Sequence, residues 1–153
     1  MDELKQEEIF WNDLSGEERR FLRQSGSYIP FSPGEMIFKK GDASDGVYII
    51  VSGEVEILDY DEKGNAIPIR TLGSGTVLGE IATFSTSTRT ATARAKTTGI
   101  LFKINKEVID GLINNCPNAM SKIIHNILHL MSQRIIQLTK EVGELKAARD
   151  TKE

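Results

Sequence analysis

The sequence predicts a mainly β domain, a sandwich or barrel with flanking helices and one long helix at its C-terminal side. Three observations carry this. Between Tyr28 and Lys103, short apolar runs alternate with glycine and proline turns, the spacing of an all-β sandwich or barrel. No long helical segment separates those runs, which excludes a parallel βαβ arrangement. From Asn105 onward the apolar residues recur at helical spacing instead.

Taken in order, residues 1–14 are acidic but carry Ile9, Phe10, Trp11 and Leu14, the makings of a short helix that packs its aromatics on the domain. Ser15-Gly16-Glu17-Glu18 has the Ser-x-x-Glu spacing of a capping box and starts a helix to about Arg23. Phe21 and Leu22 give that helix one apolar edge, and Ser25-Gly26 ends it. Strands are expected at Tyr28–Phe31, Met36–Lys39, Val47–Val51, Val55–Tyr60, Ile67–Leu72, Thr92–Lys96 and Ile100–Ile104. The intervening glycines before Gly79 read as turn geometry.

Asn105 is placed to cap a helix running to Asn114, and Pro117 suits the first position of a second helix reaching about Ala148. In that second helix Leu128, Ile135 and Val142 fall at heptad position a, with Ile124, Met131, Leu138 and Leu145 at d. β-branched a residues with leucine at d favour a parallel two-stranded coiled coil, and Glu141 can pair with Lys146 across it. The first two turns of the stripe are expected to pack on the chain's own β domain, the rest on a second copy. The expected division is 1–115 for the N-terminal helices, the β domain and the short helix after it, and 116–153 for the long helix and tail.

With 153 residues there is length for one domain with a proper core. The net charge of −3 argues against direct nucleic-acid binding, which calls for a basic face. No apolar run approaches a membrane span, the acidic start is not a signal peptide, and the single Cys116 fits a reducing cytoplasm. His125 and His129 are spaced i, i+4 but lack a third ligand, so no metal site is expected. The hydroxyl-rich run Ser85–Thr92 has no partner histidine, and no enzyme is expected.

The stretch Gly79 to Ala95 carries the chemistry. It reads G-E-I-A-T-F-S-T-S-T-R-T-A-T-A-R-A: a turn into a short helix, small hydroxyl residues, then Arg89-Thr90 and a strand. Small residues hold one carboxylate and one guanidinium nine positions apart, and an anion is the natural guest. The N–H groups of Ile81 and Ala82 sit at the positive end of the short helix. Arg89 offers a two-pronged donor for phosphate oxygens. Glu80 only accepts, so beside a phosphate it needs a hydroxyl donor such as a ribose 2′-OH.

Gly79, Glu80, Ile81, Ala82, Arg89, Ala91, Thr92 and Ala95 fall in register with the phosphate-binding cassette of cyclic-nucleotide-binding domains, and the stretch resembles that cassette. The resemblance extends from about Ser15 to Leu145; it includes Gly41-Asp-x-x-x-Gly46 and Tyr48-Ile-Ile-Val-x-x-Gly53-x-Val55, and departs at Thr88, where many members have proline. It implies a double-stranded β-helix jelly-roll barrel and a cyclic mononucleotide ligand, cyclic AMP ahead of cyclic GMP, with no further cofactor. In the family a threonine at the position of Thr90 can favour guanine. The C-terminal helix is implied as a lid over the base; counting forward from Pro117 points to Arg134, whose guanidinium would stack on a purine, and counting back from Glu141-Val142-Gly143 points to Leu138 and Thr139.

Only Ala147–Glu153 follow the long helix, so the expected role is a stand-alone sensor acting through a homodimer or a separate effector protein. The alternatives are a ligand-free interaction module on the same fold and a regulatory fragment of a transcription factor.

Overall fold

A computed structural model describes residues 5–86 and 88–151. The acidic opening Met1–Leu4, Ser87 of the hydroxyl run and the final Lys152-Glu153 lie outside the described residues. Among the described residues there are eight strands: β1 Ser27–Phe31, β2 Met36–Phe38, β3 Gly46–Ser52, β4 Val55–Tyr60, β5 Ala66–Leu72, β6 Val77–Leu78, β7 Thr92–Ala95 and β8 Gly99–Asn105. Seven match the expected strands to within one residue at either end. The exception, β6, has two residues and is too short to show a period.

The strands form two antiparallel sheets, ordered β1-β8-β3-β6 and β2-β7-β4-β5. This is the mainly β architecture expected, and β3 shows why its sequence is apolar throughout. Tyr48 and Ile50 join Val55, Leu72, Ala93 and Leu101 in one core, while Val47 and Ile49 pack with the helices in a second. Side chains alternate along a strand, so a strand buried on both faces must be apolar at successive positions.

The helices are α1 Gln6–Ile9, α2 Gly16–Ser25, α3 Lys106–Asn115 and α4 Pro117–Asp150. The capping box at α2 forms as spaced: the Glu18 amide donates to Ser15 Oγ at 3.1 Å and the Ser15 amide to Glu18 Oε1 at 2.8 Å. Its apolar edge is narrower than expected. Leu22 is buried but Phe21 is 48% exposed, because consecutive residues point about 100° apart and only one can face the core. Asn105 has the extended backbone of a cap, yet its side chain makes no capping bond.

On α4 the sequence expectation needs a correction. Ile124 and Leu128, expected to pack on the β domain, are 40% and 56% exposed. Their neighbours Ile123 and Ile127, with Met120 and Leu130, enter the core instead. The helix is apolar on two adjoining faces. Asn126, 2% exposed, fixes which face turns inward: its Nδ2 donates to the carbonyls of Phe10 and Asn12, each at 2.8 Å. Ile135, Val142 and Leu145 of the seam are 61%, 53% and 71% exposed.

Candidate functional site

After β6 the backbone turns at Gly79, which has φ +81°. A side chain is disfavoured there twice over: by the left-handed backbone, and because a Cβ would collide with Arg89 Nη1. Glu80 and Ile81 make a short helical turn that widens into a π-helical turn over Ala82–Thr86. Thr83 Oγ1 pins this turn, lying 2.9 Å from Gly79 O and 3.0 Å from Gly46 O.

Arg89 enters beside it, just before β7, and is 3% exposed. Its Nη1 donates to Gly79 O at 3.1 Å; its Nη2 donates to Gly46 O at 2.9 Å and to Asp45 Oδ1 at 3.0 Å. The guanidinium carbon lies 4.4 Å from the ring centre of Phe38 and 5.5 Å from that of Tyr48. Carbonyls, a carboxylate and two aromatic faces therefore hold the charge in place. Both terminal nitrogens bond to the protein, so the free two-pronged fork expected from sequence is not what the fold presents. Nε is the buried guanidinium nitrogen without a hydrogen-bond partner among the described residues.

Asp45, which holds Arg89, is a contact that sequence reasoning missed, since it sits in the Gly41–Gly46 segment read as a turn. It also accepts from Lys103 Nζ. Partial burial disfavours its charge, but the Lys103 hydrogen bond and the Lys103 and Arg89 charges outweigh that and lower its pKa below the ordinary 3.8.

Glu80 is likewise 3% exposed. Its Oε1 accepts from Arg134 Nη1 of α4 at 2.8 Å, and Arg134 Nη2 donates to Val77 O, also at 2.8 Å. Arg134, expected as a stacking lid, is thus in this structure the ion-pair partner of the cassette carboxylate.

These groups line one cavity of about 240 Å³ beneath α4. Of the sequence-predicted residues it brings together Gly79, Glu80, Ile81, Ala82, Arg89, Thr90, Arg134 and Leu138. Thr139 is not among its walls and is exposed, one position round the helix from Leu138. Further lining comes from Phe38, Ile57, Ile69 and Arg70 of strands β2, β4 and β5, which no local motif marks. Glu141, expected to face Lys146 of a second copy, lies with its Oε2 3.7 Å from Arg70 Nη1. Mostly apolar walls with a buried cation and a carboxylate acceptor suit a small organic anion carrying a hydroxyl.

Residues 28–116, more than half of the chain, match the family model described as the cyclic nucleotide-binding domain. The chain belongs to that family. Among curated relatives of this cyclic nucleotide-binding domain is a cAMP-dependent protein kinase regulatory subunit of Blastocladiella emersonii. It is 28% identical over 111 residues, 72% of this chain and 28% of the relative. Another is the potassium channel AKT2 of Oryza sativa subsp. japonica, 30% identical over 118 residues, 76% of this chain and 14% of the relative. The chain therefore spans less than a third of the length of either. Among the solved structures that share the fold, two are described. A cyclic nucleotide-binding domain from Methylobacillus flagellatus KT superposes with TM-score 0.79 at 21% identity, covering 88% of this chain and 79% of that one. The Thermus thermophilus catabolite activator protein gives 0.71 at 24%, covering 90% and 63%.

Proposed function

We propose that this domain is a non-catalytic, cytoplasmic sensor of a cyclic mononucleotide, with the ligand phosphate held at Arg89 and the backbone of Ile81 and Ala82. Glu80 accepts from the ribose hydroxyl, Thr90 lies at the cavity mouth, and Leu138 and Arg134 of α4 cover the base. The observation that carries this reading is the burial of one cation and one carboxylate, Arg89 and Glu80, in a single cavity roofed by a helix. A buried unpartnered donor on Arg89 is the kind of group a phosphate oxygen satisfies. The kinase regulatory subunit among the relatives makes cyclic AMP the first nucleotide to try.

Signalling runs through α4. The helix touches the cassette through Arg134 and carries its seam residues Ile135, Val142 and Leu145 on the surface, where a second copy or a separate effector protein can bury them. A ligand that binds one position of α4 more tightly than another shifts the population of that position.

Titration calorimetry with cyclic AMP and cyclic GMP, on the chain and on Arg89→Ala, tests the reading. Removing the buried cation costs about 2–5 kcal/mol, so Arg89→Ala is expected to weaken binding tens- to thousands-fold. Folded protein that takes up neither nucleotide would leave the interaction-module reading, which the internal pairing of Glu80 with Arg134 and of Arg89 with carbonyls favours.

A further inference from the structure

A second cavity, of about 270 Å³, adjoins the one that holds the cassette. Arg70 of β5 and Arg134 of α4 line both, so the two guanidiniums stand between them. The other polar walls of the second cavity are Gln6 of α1, Thr76 just before β6, and Gln133 and Gln137 of α4. Gly79, Ile81, Ala82 and Arg89 line the cassette cavity and are not among these walls. The charge of the second cavity is one-sided: among the described residues that line it are two arginines and no aspartate or glutamate. Arg134 is already engaged, by Glu80 and by Val77 O. Arg70 differs, because its Nη1 is buried and makes no hydrogen bond among the described residues. The Glu141 carboxylate, at 3.7 Å, is too far to accept one, and with its side chain 46% exposed its charge is screened by water.

A buried donor without an acceptor is costly, so a ligand oxygen that accepts from it gains affinity. Neutral donors surround the same space. Thr76 Oγ1 accepts from Gln6 Nε2 at 2.9 Å, which leaves its own O–H to donate, and each glutamine amide carries two N–H donors. The volume falls below the roughly 300–1,000 Å³ of sites for drug-sized ligands, which suits a small guest. We propose that this cavity is a second binding site, separate from the cassette, for a small oxyanion of the phosphate or carboxylate type. Arg70 supplies the charge-assisted hydrogen bond, and Thr76 with the three glutamines completes the shell. The site does not depend on the cassette holding a nucleotide.

The test follows the side-chain amide signals of Gln6, Gln133 and Gln137 by NMR while sodium phosphate, sodium citrate or sodium chloride is added to the full chain. Phosphate or citrate is expected to shift these signals to saturation, and chloride at equal ionic strength to leave them in place. Saturation by phosphate alone assigns the site to phosphate-type ligands and by citrate alone to carboxylates; either supports it. Arg70→Gln is expected to weaken the binding by roughly 10- to 100-fold. Gln137→Leu, at an exposed position outside the cassette cavity, is expected to weaken it by about 2- to 10-fold and serves if the arginine variant does not fold. Shifts that chloride reproduces would overturn the proposal, as would unchanged affinity in both variants. So would saturable shifts of the Ile81 and Ala82 backbone amides with the glutamine signals unmoved, because the anion would then sit in the cassette. Cyclic AMP binding is read separately at Ile81 and Ala82, so its failure would overturn the sensor reading and leave this result standing.

Discussion

Breaking the Glu80–Arg134 pair by Arg134→Met removes the polar contact between α4 and the cassette. Glu80 is 3% exposed, and among the described residues Arg134 supplies its hydrogen bond, at 2.8 Å. Stripping the partner from a fully buried ion pair costs roughly 3–5 kcal/mol. The Arg134 side chain is 24% exposed, so water reaches the vacated end, and about 2 kcal/mol is the expected loss. For a chain of this size each kcal/mol moves the melting temperature by about 2–4 °C, giving a drop of about 4–8 °C. Urea denaturation of the chain, Arg134→Met, Glu80→Gln and the double variant yields the coupling directly. A coupling of about 1–2 kcal/mol is expected. A coupling indistinguishable from zero, with each single variant melting like the parent, would refute the claim that this pair fastens α4 to the cassette.

Gly79→Ala forces a left-handed backbone on a residue with a Cβ and pushes that Cβ into Arg89 Nη1; a loss above about 1 kcal/mol by chemical denaturation is expected, together with loss of any nucleotide binding that depends on Arg89. Asn126→Leu leaves the carbonyls of Phe10 and Asn12 without their donor, and about 2–4 kcal/mol of destabilisation is expected in urea. Acid should act on Asp45. Its folded pKa is depressed below 3.8, so its contribution to stability is fully present above that value and is lost as pH falls through the folded pKa. Asp45→Asn should therefore flatten the acid limb of the stability–pH profile below about pH 4. An unchanged acid limb would show that the Asp45 contacts with Arg89 and Lys103 add nothing to the fold.

Much of the architecture was legible because it is local. Glycine and proline punctuation set the strands, the Ser15-x-x-Glu18 box set the start of α2, and Pro117 set the start of α4. The cassette was legible for the same reason: Gly79, Glu80 and Arg89 lie within one stretch, and their spacing brings them to one cavity. The choice between faces of α4 was not legible. Ile123 and Ile124, Ile127 and Leu128 are neighbours of equal hydrophobicity, and periodicity cannot say which of each pair turns inward. Tertiary contacts decided it, through Asn126 reaching the carbonyls of Phe10 and Asn12.

The same division runs through the site. The sequence by itself determined that a carboxylate and a guanidinium would share a small-residue loop, because backbone geometry over ten residues fixes that. It did not determine what holds them. Asp45 lies 44 residues from Arg89, and Arg134 lies 54 residues from Glu80. Arg70 reaches the cavity only because β5 lies along β4. Contacts between residues so far apart carry no periodic signature. They arise when burial of apolar surface closes the two sheets and α4 onto one another, and only then do the buried charges find their partners.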